Sequence, residues 1–168
     1  MDNQAITEQK NGFKEPRRGT VHFILLHSYL IFLFAVVLGV FFDTIFNVRI
    51  FSHGIYQYTG FLMLIISSII IYWAQSTSSN YKEKEKKNEF DSHFEHGPYK
   101  YLRSPTHFGL FIMALGLALI LNSLFSIIFT IVAYLITKFF FLKKEEELLT
   151  KKYGEPYIEY KKKVKNWI

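Results

Sequence analysis

The stretch from His96 to Gly154 reads HGPYKYLRSPTHFGLFIMALGLALILNSLFSIIFTIVAYLITKFFFLKKEEELLTKKYG. It begins with polar residues and turn formers, continues through two apolar segments at 106–121 and 124–142, and ends in a charged run. A short break at Asn122–Ser123 separates the two apolar segments. This pattern predicts a helical hairpin whose polar ends lie on the same side, one supplying a cation and the other carboxylates.

Two further apolar runs precede the hairpin, at 21–42 and 55–74. Half of the 168 residues are hydrophobic, and the charged residues are collected in blocks between the apolar runs. An uncharged helix of about 20 residues spans the ~30 Å hydrocarbon core of a bilayer. We therefore expect an all-α, polytopic integral membrane protein with about four transmembrane helices, of which the third, at 106–121, is short. Residues 1–20 form a polar tail, and 21–168 form a single membrane domain.

Composition excludes several classes of site. The chain has no cysteine, so disulfides, thiolate metal sites and cysteine nucleophiles are ruled out. His93 and His96 lie three residues apart without a further cluster of ligands, and we expect no metal site. The net charge is +6, but the basic residues flank apolar spans, which favours contact with membrane lipids over nucleic acid. The first apolar run is longer than the core of a signal peptide and indicates a retained membrane helix.

The positive charges predict an orientation. Four helices place residues 1–20, the connection 75–105 and the tail after Leu142 on one side of the membrane. That side holds 18 of the 20 Lys and Arg residues, whereas the 43–54 loop holds one. Because Lys and Arg are enriched on the cytoplasmic side, we expect both termini and both polar ends of the hairpin to be cytoplasmic.

Two segments within residues 95–164 carry a resemblance to a known family. Gly97–Gly109 resembles the motif Gly-Pro-Tyr-x-x-x-Arg-His-Pro-x-Tyr-x-Gly of the isoprenylcysteine carboxyl methyltransferase and phospholipid methyltransferase superfamily. Glu145–Tyr160 resembles that family's second signature, Glu-Glu-x-x-Leu-x-x-x-Phe-Gly-x-x-Tyr-x-x-Tyr. The two motifs stand in the family's order and are separated by a helical hairpin, as the family requires.

The resemblance implies that S-adenosylmethionine binds at the cytosolic ends of the last helices and that a methyl group passes to a lipophilic acceptor. The acceptor would be a prenylcysteine carboxylate, a lipid amine or another amphiphile. Arg103 and Glu146 would be the catalytic residues. The implied cofactor-binding residues are His96, Gly97, Tyr99, Tyr101, Arg103, Pro105, His107, Glu145 and Glu146.

The chemistry of these side chains suits that cofactor. Arg103 can pair with a carboxylate through two parallel hydrogen bonds. Glu145 or Glu146 can accept from an ammonium group or from ribose hydroxyls. Tyr99, Tyr101 and Tyr153 would offer aromatic faces to adenine or to the sulfonium. Since methyl transfer is an in-line displacement, most of the catalysis can come from positioning and desolvation.

The chain departs from the family pattern at two positions. Ser104 stands where the family has histidine, and His107 stands where the family has tyrosine. Positions 104 and 107 share a face if the third helix already begins there, so His107 would restore an imidazole to the pocket. Alternatively, Ser104 caps this helix, with Pro105 at its first position. A cap and a pocket wall are compatible with each other.

Other interpretations of the same residues remain open. Arg103 would serve as an interfacial anchor in any membrane protein, and a run of three glutamates is common on a solvated helix face. Successive residues point ~100° apart on a helix, so Glu147 is the one expected to face solvent. The rival functions are a membrane reductase of the sterol-reductase type with a nicotinamide cofactor, and a non-catalytic membrane scaffold. The sequence does not indicate an oligomeric state.

Overall fold

The computed structural model of the chain describes residues 19–47, 54–86 and 96–164, and all of them lie in helices or short connections. The N-terminal tail lies almost entirely outside these ranges. The helices are α1 (Gly19–Phe46), α2 (Ile55–Lys86), α3 (Pro105–Ile120), α4 (Leu124–Ile136), α5 (Lys143–Tyr153) and α6 (Glu155–Lys163). A 3₁₀ turn (Gly97–Lys100) precedes α3, and a π-helical segment (Thr137–Leu142) joins α4 to α5 without a break.

The helices confirm the predicted all-α fold, and three helical stretches within the described residues are long and apolar enough to cross a membrane. These stretches are Leu25–Phe46, Ile55–Asn80 and Leu124–Lys151, the last of which runs through α4, the π-helical segment and α5. Helix α3 has 16 residues, or ~24 Å at 1.5 Å per residue, which is shorter than a ~30 Å hydrocarbon core. The predicted second span ended at residue 74, but α2 continues to Lys86. The Lys and Glu residues of that extension are good helix formers, and no proline or glycine interrupts them.

Small residues bring the helices close together in pairs. A Cβ atom on Gly60 of α2 would lie 2.6 Å from the backbone oxygen of Gly116 on α3. On α1, a Cβ atom on Gly39 would lie 2.3 Å from the backbone of Ser126 on α4. Side chains at these positions would force the helices apart, since interfaces between membrane helices depend on such close approach. Gly60 and Gly116 thus permit the close approach of α2 and α3.

The hairpin turn between α3 and α4 is fixed by polar contacts with α1. Asn122 adopts a left-handed conformation, with φ of 51°, and Ser123 caps α4 by accepting from the backbone N–H of Ser126. The Ser123 hydroxyl also donates to the carboxylate of Asp43 near the end of α1. This end of the bundle is therefore held by caps and hydrogen bonds that satisfy the first N–H groups of α4.

The π-helical segment changes which face of the α4–α5 helix turns inward. The buried polar and small residues of α4 and of the start of this segment are Ser126, Thr130, Ala133 and Thr137. Continued in an unbroken α-helix, their spacing of 4, 3 and 4 residues would bring position 140 or 141 inward next, and then Lys144. One extra residue in the wider π turn delays this face by one position. Leu142 is buried, Lys144 is exposed, and Glu145 and Glu146 are turned toward the bundle.

Candidate active site

The turn formed by the first motif lies against the end of α2. Gly97 has φ of +61°, a conformation that glycine adopts without strain. A Cβ atom at this position would also lie 2.6 Å from Oγ1 of Thr77. Pro98 is buried, and its carbonyl oxygen accepts from the backbone N–H groups of Tyr101 and Leu102. The Gly-Pro-Tyr sequence thus builds a tight turn that delivers Arg103 to the start of α3.

Three charged side chains from three segments meet at Glu146. One carboxylate oxygen of Glu146 lies 2.8 Å from Nη1 of Arg103, and the other lies 2.9 Å from Nζ of Lys161 on α6. Arg103 and Glu146 expose 15% and 18% of their side chains, whereas Lys161 exposes 35%. Since solvent screens an ion pair in proportion to its exposure, the contact with Arg103 is the stronger of the two.

A second carboxylate, that of Glu145, faces His107, the residue that stands where the family has tyrosine. Oε2 of Glu145 lies 3.8 Å from Nδ1 of His107, which is 4% exposed. The other ring nitrogen, Nε2, lies 3.1 Å from the hydroxyl of Ser28 on α1. Ser104 occupies the N-cap position of α3, with Pro105 at its first turn, but its side chain makes no capping hydrogen bond. Position 107 therefore brings the imidazole to the carboxylates.

Tyrosines close the cluster on the side of α6. The hydroxyl of Tyr160 donates to the backbone oxygen of Tyr99, at 2.6 Å. The Tyr99 phenol hydrogen-bonds with the side chains of Thr106 and Ser78, and burial raises its pKa above the ordinary value. Burial and the neighbouring carboxylates raise the pKa of Tyr157 in the same direction. These phenols are therefore neutral hydrogen-bonding groups at physiological pH.

Comparison with known proteins shows the family to which the chain belongs. The family model for phospholipid methyltransferases matches residues 55–156, more than half of the chain. The chain belongs to the phospholipid methyltransferase family. It is similar to the protein-S-isoprenylcysteine O-methyltransferase of Schizosaccharomyces pombe, with 33% identity over 126 residues. The match covers 70% of this chain and 51% of that protein, so the chain spans about half the length of the curated relative. No solved structure matches significantly.

The structure brings most of the residues expected from the two family motifs into one cluster. Gly97, Tyr99 and Pro105 form its turn, and the remaining members are Arg103, His107, Glu145 and Glu146. Tyr101 lies apart, because 68% of it is exposed, and His96 is also exposed at the outer end of the turn. The Tyr153 ring lies outside the side chains that the structure describes.

Four members of the cluster were not predicted as site residues. They are Ser28, Tyr157, Tyr160 and Lys161. Tyr157 and Tyr160 belong to the second motif, and their spacing of three residues on a helix could have indicated a shared face. Ser28 and Lys161 carry no such signal, because only the folding of α1 and α6 against the hairpin brings them to the cluster.

An apolar groove with a volume of about 690 Å³ lies between α1 and α4. It begins at His27, which stacks on Phe141 of the π-helical segment, and continues past Leu38. That distance is ~16 Å at 1.5 Å per residue. Its other walls are apolar side chains, among them Phe129 and Val132.

Proposed function

We propose that this protein transfers a methyl group from S-adenosylmethionine to a lipophilic acceptor at the cytosolic face of a membrane. The observation that carries the proposal is the convergence of Arg103, Glu145 and Glu146 at one end of the helical bundle. Two motifs far apart in sequence supply these groups, and both lie in a chain of this family. Burying a cation beside two carboxylates has a large desolvation cost, and such arrangements are concentrated at functional sites.

The side chains fit the implied cofactor. Nε of Arg103 is buried and has no hydrogen-bond partner among the residues that the structure describes. It can therefore donate to a carboxylate, and a guanidinium does so in a bidentate geometry. Glu146 would accept from an ammonium group or ribose hydroxyls, and Tyr99 would present a neutral aromatic face to a sulfonium. The bound cofactor would supply the electrophilic methyl group, and the protein would position it and exclude water.

The acceptor would enter sideways from the lipid. In the groove between α1 and α4, an acyl or prenyl tail would contact apolar walls while its head group reached the cluster near His27. Each buried methylene is worth about 0.8 kcal/mol, or roughly fourfold in kcat/KM, until the groove is filled. A tail-less acceptor turned over as efficiently as its long-chain analogue would contradict this route.

A pair of tryptophan variants tests the groove directly. Val132 lines the groove and is half exposed, and Ile128 on the same helix is equally exposed but does not line it. Val132→Trp should therefore raise KM for a long-chain acceptor at least about tenfold through steric exclusion, because a loss of about 1.4 kcal/mol has that effect. Ile128→Trp is the matched control and should leave KM unchanged. Equal effects of the two variants would exclude the groove as the tail site.

The decisive experiment for the proposal is calorimetric titration of the detergent-purified protein with S-adenosylmethionine, S-adenosylhomocysteine and a nicotinamide dinucleotide. We expect S-adenosylmethionine and S-adenosylhomocysteine to bind, and the nicotinamide dinucleotide not to bind. Binding of the nicotinamide dinucleotide alone would favour a membrane reductase. If none of the three bound, a non-catalytic scaffold would be the better interpretation.

A further inference from the structure

Polar side chains from three helices form a chain of contacts next to the ion cluster. Ser28 on α1 is fully buried, and its hydroxyl contacts Nε2 of His107 on α3 at 3.1 Å. Nδ1 of the same ring faces Oε2 of Glu145 on α5. The order of carboxylate, imidazole and hydroxyl is the one in which a histidine removes a proton from a hydroxyl group.

The neighbours of His107 define how the ring can act. An ionised glutamate only accepts hydrogen bonds, whereas a serine hydroxyl can donate one. The tautomer that suits both neighbours carries its proton on Nδ1, toward Glu145, and directs the lone pair of Nε2 toward Ser28; this assignment follows from the contacts. The ring can then take up a second proton at Nε2, and the resulting positive charge lies beside a carboxylate.

Glu145 also decides which head group the cluster accepts. Arg103 and Lys161 contact Glu146, whereas Oε2 of Glu145 is buried and makes no hydrogen bond within the described part of the chain. A carboxylate head group beside His107 would face the like charge of Glu145 across the imidazole ring. An amine or hydroxyl head group carries no such negative charge. Repulsion by Glu145 therefore favours an acceptor that carries a proton on its attacking atom.

We propose that His107 takes up the proton that the methyl acceptor loses, and that the acceptor is accordingly an amine or a hydroxyl compound. This inference rests on the proposed function. The acceptor's nitrogen or oxygen forms a bond to the methyl carbon while the carbon–sulfur bond breaks and its electron pair stays on sulfur. The acceptor's proton passes through the Ser28 hydroxyl to Nε2 of His107, and Glu145 stabilises the imidazolium. A carboxylate acceptor would need no such group.

The apolar groove ends one residue from this polar chain. His27, at the end of the groove, is the neighbour of Ser28 in α1. Ser28 and His107 are buried and do not line the groove, so the head group of a tail lying there would pass His27 to reach them.

The test uses three linear amphiphiles of equal chain length as acceptors, a fatty amine, a fatty alcohol and a fatty acid. The full-length protein in detergent is supplied with S-adenosylmethionine, and methylated products are quantified by mass spectrometry. We expect the amine or the alcohol to be methylated at least about tenfold faster than the acid. His107→Gln should lower kcat for that acceptor at least about a hundredfold, the usual contribution of general base catalysis. Its KM and the affinity for S-adenosylhomocysteine should change less than about threefold.

Ser67→Ala is the matched control, because Ser67 is a fully buried serine of α2 whose hydroxyl, among the described residues, donates to the backbone oxygen of Leu64 on its own helix. It should keep the parental kcat. Faster methylation of the acid would overturn the inference and leave the proposed function intact, and so would an unchanged kcat in His107→Gln. If His107→Gln does not fold, the preference of the parent protein among the three acceptors decides alone. Cofactor binding without methylation of any acceptor would overturn the inference, whereas absence of cofactor binding would overturn the proposed function.

Discussion

The ion cluster at Glu146 allows a quantitative test of the cofactor site. We consider Arg103→Ala, which removes the more buried of the two cations that contact this carboxylate. Two unit charges about 4 Å apart attract each other by about 4 kcal/mol at an effective dielectric constant of 20. Desolvation offsets part of this attraction in the free protein, but truncating one partner leaves a buried charge unpaired. The typical cost for a desolvated charged contact with a ligand is about 2–5 kcal/mol.

The expected loss of affinity follows from these values. Arg103→Ala and Glu146→Ala should each weaken S-adenosylmethionine binding by roughly 30-fold to several-thousand-fold. Lys161 is 35% exposed, so its pair with Glu146 is worth about 0–1 kcal/mol, and Lys161→Ala should cost no more than about fivefold. Glu147 is exposed on the next position of α5 and serves as the control, for which we expect no change.

Calorimetric titration of the four variants measures these differences, and thermal unfolding of each checks that it is folded. Equal losses at Glu146 and Glu147 would show that the wrong face of α5 has been assigned to the cofactor. A loss in Lys161→Ala as large as that in Arg103→Ala would refute the argument from exposure. The second outcome would mean that α6 covers the cluster more tightly when the cofactor is bound.

Three further predictions concern topology, the first turn and the buried phenols. In this cysteine-free chain, a single cysteine at Ser79 should be protected from an impermeant thiol reagent in intact cells, while one at Ser52 should react; the reverse would invert the orientation. Gly97→Ala should lower the free energy of unfolding, measured by denaturant titration, by about 1–2 kcal/mol for its left-handed backbone alone. The added Cβ atom would also clash with Thr77, so combining Gly97→Ala with Thr77→Ser should recover part of that steric cost. The folded-state pKa of Tyr157 is raised, so its contribution to stability is complete below about pH 10 and is lost as pH rises toward the folded-state pKa. The Tm measured by thermal unfolding should therefore fall above about pH 10, and it should fall less in Tyr157→Phe. The same fall in Tyr157→Phe as in the parent protein would contradict a raised pKa of Tyr157.

The sequence predicted the helices well because apolar runs interrupted by charged blocks have one favourable arrangement in a bilayer. The starts of α3 and α4 followed from Pro105 and from the Asn122–Ser123 break, both of which carry local signals. The end of α2 was misjudged because the apolar run stops at residue 74, whereas the helix continues through polar residues to Lys86. Lys and Glu are good helix formers and continue a helix without an apolar face.

The candidate site was predictable only where a motif specified it. The side of α5 that carries Glu145 and Glu146 came from the resemblance, since a run of three glutamates has no preferred face on charge alone. Lys161 belongs to a run of three lysines, any of which would have looked like a solvated residue. Ser28 lies 79 residues from His107, and no local pattern announces a contact over that separation.

The π-helical segment has a consequence for sequence variation in this protein. Phe139 and Phe140 are 64% and 71% exposed, and other apolar side chains could replace them in contact with lipid. The number of residues in Thr137–Leu142 is coupled to the winding of the segment, because the two together set the phase of everything that follows. Deleting one residue and returning the helix to α-helical winding would leave Glu145 and Glu146 on their present face, whereas α-helical winding at the present length would turn them by about 100° relative to α1 and α3. This segment should therefore vary freely in composition and tolerate the loss of one residue, whereas a second deletion would turn both glutamates away from the cluster.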